Sequence, residues 1–159
     1  MAAALCVTIS ITALSIMALA WVNSHWKNTV PTQVPALFSF GHIQVIDGDT
    51  IRSGGHIYRL VGFDTPETVN PRCERERNLA DAATRRLREL VAGGELNLAR
   101  VPCACRPGTE GTPACNYGRL CARLTANGRD VGTILMGEGL AQAYICSGMS
   151  CPPRPSWCG

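Results

Sequence analysis

The chain has 159 residues, which is enough for one compact domain and short for two, and its 46% apolar content excludes a disordered or collagen-like protein. The formal net charge of +3 is too small to indicate by itself a protein that holds nucleic acid through bulk charge. Lys27 is the only lysine, and although arginine binds phosphate at two points, GC-rich codon usage produces the same bias, so charge alone selects no function.

An uncharged hydrophobic segment lies at the N-terminus. Residues 2–22 are dominated by Ala, Leu, Ile, Val and Met, and about 20 such residues span a bilayer as a helix. Residues 18–20 match the small-x-small site of a signal peptidase, whereas the basic region that precedes most signal peptides is missing. We therefore predict a hydrophobic helix over residues 1–22, either a signal peptide or a retained membrane anchor. In both cases the rest of the chain is exported, to the periplasm, the medium or the outer side of the membrane.

The cysteine content agrees with export. Cys6 lies in the hydrophobic segment, and the other cysteines are Cys73, Cys103, Cys105, Cys115, Cys121, Cys146, Cys151 and Cys158. A dense, even set beyond an export signal favours a disulfide framework, although the sequence leaves the pairing open. The alternative is a zinc site from the four cysteines within residues 103–121, whose C-x-C and C-x5-C spacings differ from the C-x2-C pair of structural zinc.

Composition divides the remainder of the chain into three parts. Residues 23–40 are polar and carry Pro31 and Pro35, which is typical of a linker. Residues 41–146 show the alternating and helical apolar patterns of a folded domain. Residues 147–159 form a tail rich in Cys and Pro, and we expect its disulfides to stabilise the domain.

Within the domain, apolar periodicity predicts a strand pair followed by a helix. Residues 42–53 and 56–63 alternate between apolar and polar, and a Gly-Gly pair separates them, which predicts a β-hairpin. Residues 79–91 repeat at helical spacing and are followed by a second Gly-Gly pair, which predicts an amphipathic helix with a glycine stop.

The second half of the domain is predicted to hold two more strands and a short helix. Residues 95–101 and 119–126 alternate, and the Cys-, Pro- and Gly-rich segment between them predicts a disulfide-linked loop. Residues 131–138 predict a short helix, with Gly139 as the residue that follows its end. This order of elements indicates an α+β fold and is compatible with a small closed barrel and packed helices.

Charged residues concentrate at three places in this pattern. Residues 47–50 read Asp-Gly-Asp-Thr; an extended backbone would place both aspartates on one face, but Asp-Gly is also a turn signal, and this motif alone favours a turn. Residues 58–67 carry an arginine in a strand and then two acids around a Thr-Pro turn. Residues 116–119 form a turn that leads into a second arginine.

The combination of acids and arginines has a chemical interpretation if the three places meet. Converging carboxylates repel one another unless a cation lies between them, and hard oxygen ligands favour Ca²⁺ or Mg²⁺ over zinc. Arginines beside such a cation indicate that an anion joins them. A phosphodiester meets this requirement, because a metal and arginines neutralise its oxygens while a carboxylate handles the attacking water.

The motifs of the domain resemble, in order and approximate spacing, those of the staphylococcal nuclease (thermonuclease) family. They are Ile46-Asp47-Gly48-Asp49-Thr50, Tyr58-Arg59-Leu60, Asp64-Thr65-Pro66-Glu67, Tyr117-Gly118-Arg119 and Gly139-Leu140-Ala141. Each motif alone is weak, but the five in order are specific. The resemblance implies a five-stranded OB-type β-barrel with packed helices, which agrees with the predicted elements.

The resemblance also implies a calcium site. Asp49 and Asp64 match the carboxylate ligands of the Ca²⁺ ion, and Thr65 matches the residue that adds its backbone carbonyl. Asp47 matches an acid that lies near the metal without binding it. These assignments are consistent with the preference of Ca²⁺ for oxygen ligands.

The remaining matches concern the substrate. Arg59 and Arg119 match the two arginines that bind the phosphate and stabilise its transition state, and Glu67 matches the carboxylate that orients the attacking water. Tyr117 matches a tyrosine at the nucleotide phosphate, and Tyr144 aligns, across a one-residue gap, with a tyrosine of the base pocket. Replacing either arginine is therefore expected to slow the reaction with little loss of fold.

The implied activity is that of a monomeric, calcium-dependent endonuclease. Members of the family hydrolyse single-stranded DNA, and often RNA, by in-line attack of water and leave 3′-phosphate ends. The alternative is a non-catalytic OB-fold module that binds nucleic acid, since the same barrel serves that purpose elsewhere. A binding-only descendant is expected to lose at least one of Arg59, Glu67 or Arg119, and all three are present.

Overall fold

A computed structural model of the protein describes residues 42–158. The predicted hydrophobic helix over residues 1–22 and the linker over residues 23–40 lie outside the described residues, so both stay predictions. Between residues 42 and 158, no helix combines the length and the hydrophobicity needed to cross a membrane.

The described chain alternates short strands with two α-helices. The strands are β1 Gln44–Val45, β2 Thr50–Ser53, β3 His56–Leu60, β4 Gly62–Asp64, β5 Leu96–Val101, β6 Leu120–Ala126, β7 Arg129–Asp130 and β8 Gln142–Tyr144. The helices are α1 Glu74–Ala92 and α2 Val131–Gly137, and a short 3₁₀ turn spans Asn116–Gly118.

Six strands form a half-barrel sheet. Five of them follow the order β1-β2-β3-β6-β5, and the short strand β7 pairs with β6 outside this path. Only β3 and β6 run parallel within it, and β4 pairs with β8 in a separate two-stranded sheet. The predicted α+β class is confirmed. The predicted single five-stranded barrel is confirmed only as a half-barrel. The chain changes direction at Gly62, whose φ is 100°, so β4 does not continue β3 but lies in a different sheet.

The first predicted strand, residues 42–53, is interrupted by a tight turn. The backbone amides of Ile46 and Asp47 both donate to the carbonyl oxygen of Thr50, at 2.9 and 3.2 Å, so β1 folds back onto β2. The carboxylate of Asp47 also accepts the amide of Asp49 at 3.0 Å. The favoured Asp-Gly turn is therefore confirmed, and the alternative of an extended backbone that would place both aspartates on one face is not observed.

Gly48 allows this turn to pack closely against the rest of the domain. A β-carbon at this position would lie 2.8 Å from the hydroxyl oxygen of Thr65 and 2.9 Å from the β-carbon of Ala83 on α1. Any larger residue would push the turn away from both neighbours. The glycine thus fixes the position of the two aspartates that flank it.

The other predicted elements are confirmed with small changes at their ends. The hairpin between β2 and β3 turns at a Gly-Gly pair, and α1 begins at its N-cap Cys73 and is followed by Gly93, whose amide donates to the carbonyl of Glu89 at 3.0 Å. Asp130 caps α2 by accepting the amide of Thr133 at 2.9 Å. The strands β7 and β8 were missed because two or three residues are too few to show a period.

The eight cysteines of the described chain are paired as four disulfides. The pairs are Cys73–Cys158, Cys103–Cys121, Cys105–Cys115 and Cys146–Cys151. This confirms the predicted framework and the disulfide-linked loop, and it leaves no thiolate of residues 103–121 for the zinc alternative. The tail is attached to α1 through Cys158, and its Trp157 is buried next to that link.

Removing the Cys73–Cys158 disulfide is expected to destabilise the domain more than removing Cys146–Cys151. The two bridges join residues 85 and 5 positions apart, and loop-closure entropy then gives about 4–5 and about 2 kcal/mol of unfolding free energy, respectively. Urea denaturation of the two serine double variants measures the difference. Equal losses would contradict an entropic role of the long loop.

Candidate active site

The three charged segments meet where the turn before β2, the ends of β3 and β4, and the start of β6 converge. Strand pairing sets this arrangement, because Thr50 of β2 faces Arg59 of β3, and Arg59 in turn faces Cys121 of β6. A cavity of about 560 Å³ opens beside them. Its lining includes Arg59, Tyr117, Arg119, Tyr144 and Arg154.

Arg59 is buried between two aspartates. Its Nη1 lies 2.7 Å from Asp49 Oδ2 and its Nη2 lies 2.8 Å from Asp64 Oδ1. The same nitrogens donate to the carbonyls of Leu60 at 2.8 Å and Phe63 at 3.1 Å. The guanidinium is thus both the counter-charge of the acids and a brace for the chain between β3 and β4.

Asp49 is the most heavily bonded of the acids. Its Oδ2 also accepts from the amide and the hydroxyl of Thr65, at 3.3 and 3.1 Å, and its Oδ1 accepts from the hydroxyl of Thr50 at 3.0 Å. Burial nevertheless raises the pKa of Asp49 to about 6, with Asp47 and Asp64 adding to the rise and Arg59 opposing it. Burial also raises the pKa of Asp64, against the lowering effects of Arg154 and Arg59.

These residues fit a hard divalent cation. Asp47, Asp49 and Asp64 are close enough for Asp47 to raise the pKa of both other carboxyls, and in the metal-free protein burial is not fully offset by Arg59. A cation near these oxygens would remove that penalty. Oxygen donors of this kind suit Ca²⁺ or Mg²⁺ and not zinc. Asp49, Asp64 and the backbone carbonyl of Thr65 are the donors that the sequence predicted.

A second group of potential metal ligands lies elsewhere in the described chain. One ligand atom each from Cys73, Glu76 and Cys158 falls within 4.8 Å of the others. The two sulfurs are joined to each other in a disulfide, so neither is available as a thiolate ligand. Glu76 instead accepts the amide of Arg72 at 2.6 Å and so stabilises the start of α1.

Glu67 lies at the rim of the site and not in its interior. Its side chain is 51% exposed and forms an ion pair with Nη1 of Arg154. An exposed carboxylate next to buried metal-type acids is suited to contact water, which is the role that the sequence predicted for it.

Arg119 directly precedes β6, the strand that pairs with β3. Its Nε and Nη2 donate to the backbone and side-chain oxygens of Asn116, at 3.1 and 2.9 Å, and its Nη1 donates to the hydroxyl of Thr50 at 3.2 Å. The hydroxyl of Thr50 in turn donates a hydrogen bond to Asp49 Oδ1, so a chain of hydrogen bonds links Arg119 to Asp49. Burial lowers the pKa of Arg119, and nearby Arg59 lowers it further.

The two predicted tyrosines line the same cavity. Tyr117 is 85% exposed, has a left-handed backbone at φ 59°, and its ring centre lies 5.7 Å from the Cζ of Arg119. Tyr144 is half-buried in β8, where it pairs with Gly62. The structure therefore brings all nine sequence-predicted site residues to one region, with Glu67 and Tyr117 on its surface.

Three contributors were not identified from the sequence. Thr50 is the last residue of the Asp-Gly-Asp-Thr motif, and the sequence assigned it no role, although a hydroxyl directly after Asp49 is a signal for a local hydrogen bond. Asn116 was available as a turn residue, and its left-handed backbone at φ 50° explains how it holds an arginine three positions later. Arg154 had no signal, because only the disulfide pairing brings the tail to the site.

The pH dependence of the metal-free protein follows from the raised carboxyl pKa values. The folded state holds the Asp49 proton up to about pH 6, whereas an unfolded Asp releases it near pH 4, so stability is lost as pH rises through this window. Calcium binding requires the ionised form, so stabilisation by Ca²⁺ should be larger at pH 7 than at pH 5.

Thermal unfolding in Ca²⁺ and in EDTA at both pH values tests this expectation. Asp49→Asn is the matched control, since it should reduce both the pH dependence and the response to Ca²⁺. Stabilisation by Ca²⁺ that is equal at pH 5 and pH 7 would contradict the assignment.

Comparison with known proteins gives a family match over the same region. Residues 58–152 match the sequence model of the family described as staphylococcal nuclease homologue. Two similar proteins come from Bacillus subtilis (strain 168). SPbeta prophage-derived endonuclease YokF is 34% identical over 108 residues, which is 64% of this chain and 33% of that protein. Endonuclease YncB is 34% identical over 108 residues, which is 64% of this chain and 46% of that protein. The chain thus spans less than half the length of either relative.

Proposed function

The chain belongs to the staphylococcal nuclease homologue family, and from this premise we propose that it is a calcium-dependent endonuclease. Its proposed substrate is single-stranded DNA, with RNA as the second candidate, and its products carry 3′-phosphate ends. Both relatives are named endonucleases, which supports the proposal, while the ion and the product ends come from the resemblance of the motifs.

One observation carries the proposal. Buried acids with raised pKa values, two arginines and an exposed carboxylate converge beside one cavity. A protein that only bound nucleic acid would gain nothing from burying Asp49 and Asp64 around Arg59, because buried charge is costly unless a ligand uses it. A metal ion and a phosphodiester together account for both signs of charge.

Each residue then has a defined task. Arg59 and Arg119 bind the non-bridging oxygens of the phosphodiester and stabilise the charge that develops as water attacks. Glu67 orients the attacking water and accepts its proton. Ca²⁺ held by Asp49, Asp64 and the carbonyl of Thr65 would supply Lewis-acid stabilisation of the same phosphate.

The cavity wall supplies the substrate contacts. Tyr117 and Tyr144 both line it and can contact the nucleotide, the first near its phosphate and the second near its base. We further propose that the protein acts as a monomer outside the cytoplasm, after export directed by residues 1–22. If that segment is retained, the protein also contacts the membrane.

The test is cleavage by the full purified chain of single-stranded DNA and RNA oligonucleotides with Ca²⁺, with Mg²⁺ and with EDTA. We expect cleavage in Ca²⁺, none in EDTA, and products whose 3′ ends are phosphatase-sensitive. Activity that survives EDTA would overturn the metal assignment. Binding without cleavage in all three conditions would favour the non-catalytic OB-fold alternative.

Glu67→Gln tests the proposed base within the same assay. Loss of a general base lowers kcat by about 10²- to 10⁴-fold, and the exposed position makes a folding defect minor. Glu95→Gln is the control, since it removes one exposed carboxylate elsewhere in the domain. An equal kcat for both variants would remove Glu67 from the mechanism.

A further inference from the structure

Arg154 is a charged residue of the active site that the family motifs do not cover. It lies in the C-terminal tail, yet its side chain lines the same cavity as Arg59 and Arg119. Its Nη1 forms an ion pair with Glu67 and lies 4.0 Å from Asp64 Oδ1.

The tail holds this arginine in place by covalent and packing contacts on both sides. Cys151, three residues before it, is bonded to Cys146, and Cys158, four residues after it, is bonded to Cys73 at the start of α1. Trp157 between these anchors is buried. Three of the four positions nearest Arg154 along the chain are prolines, which restrict the backbone further. The tail therefore loses little conformational entropy when the guanidinium binds a ligand.

We propose that Arg154 is a third phosphate-binding residue, which contacts the nucleic-acid backbone beside the phosphate held by Arg59 and Arg119. This inference rests on the proposed function. The side chain of Arg59 is buried against Asp49 and Asp64, whereas the side chain of Arg154 is 43% exposed and so accessible to a neighbouring phosphate. Within the described chain its ion pairs use Nη1, which leaves Nε and Nη2 for an incoming anion.

The contact with Glu67 does not oppose this role. Both partners are about half exposed, and an ion pair of this kind contributes little to stability because water screens it. A phosphate offers the same charge and the same two-oxygen geometry as the carboxylate, so the guanidinium can change partners with little loss. When it does, Glu67 is released to contact water.

Binding of a labelled single-stranded oligodeoxynucleotide, measured by fluorescence anisotropy in EDTA, tests the proposal without cleavage. Arg154→Ala should raise Kd about tenfold and reduce the slope of log Kd against log salt by about 0.7, the value for one phosphate contact on a single strand. Arg154→Lys should recover part of the affinity. Arg88→Ala, an exposed arginine of α1, is the control for a lost charge and should leave Kd unchanged.

Removal of the Cys73–Cys158 disulfide provides a second, independent test. Cys73→Ser with Cys158→Ser should raise Kd as Arg154→Ala does, provided that circular dichroism shows a folded domain. Adding Arg154→Ala to that variant should then cause little further loss.

Two outcomes would overturn the inference while the wild-type chain still cleaves DNA and the proposed function stands. One is a Kd for Arg154→Ala equal to that of Arg88→Ala. The other is an unchanged Kd with a raised kcat in Ca²⁺, which would make Arg154 a cover for Glu67 and not a substrate ligand. A wild-type chain that neither binds nor cleaves nucleic acid would overturn both proposals.

Discussion

Arg59→Ala is expected to abolish cleavage and, in addition, to destabilise the metal-free domain by about 3–5 kcal/mol. Arg59 is 7% exposed, and its guanidinium pairs with Asp49 and Asp64, which are themselves buried. Its removal leaves two buried carboxylates without a counter-charge. The sequence-based expectation of a rate effect with little loss of fold therefore changes for this arginine, because the structure places it inside the acid cluster.

Added calcium should separate the two effects of Arg59→Ala. A cation bound by Asp49 and Asp64 replaces the missing positive charge, so Ca²⁺ should recover much of the lost stability but not the rate. Urea denaturation in Ca²⁺ and in EDTA, together with kcat/KM, measures both quantities. Arg88→Ala serves again as the control. A metal-free variant as stable as the wild type would show that the acids need no counter-charge.

Arg119→Ala is expected to lower kcat/KM by about 10²- to 10³-fold or more while the domain stays folded. Its acceptors are neutral oxygens of Asn116 and Thr50, so its removal leaves no buried charge unpaired. The stability loss should be about 1 kcal/mol. The two arginines, equivalent in the sequence motifs, thus differ in what their replacement does to the fold.

Steady-state kinetics and thermal unfolding of the same Arg119→Ala sample test this contrast. Arg119→Lys is the informative companion, because it retains the charge but cannot hold Asn116 and Thr50 at once. If Arg119→Ala lowered stability as much as Arg59→Ala and left the rate intact, its role would be structural.

The local elements were predictable where a period or a turn signal is strong. Residues 79–91 show the helical repeat of α1, and residues 95–101 and 119–126 show the alternation of β5 and β6. The first strand was predicted too long, because Ile43, Val45 and Ile51 share one apolar register although the backbone turns between Val45 and Ile51. Local apolar patterns cannot register that turn, which depends on close packing of Gly48 against Thr65 and Ala83.

The candidate site was likewise predictable only in part. The two candidate metal aspartates, the two arginines and Glu67 were identified from short motifs, because the proposed chemistry requires these side-chain types and the motifs resemble those of the family. The burial of these residues could not be predicted from the motifs, because it depends on which strands pair.

The sequence by itself thus determined the α+β class, the family and the residue types of the site, because those follow from local periodicity and ordered motifs. Only the tertiary structure decided the disulfide pairing, the burial of Arg59 between Asp49 and Asp64, and the arrival of Arg154 at Glu67. These are contacts between segments far apart along the chain, and their free energy depends on distance and dielectric environment, which exist only after the chain has folded.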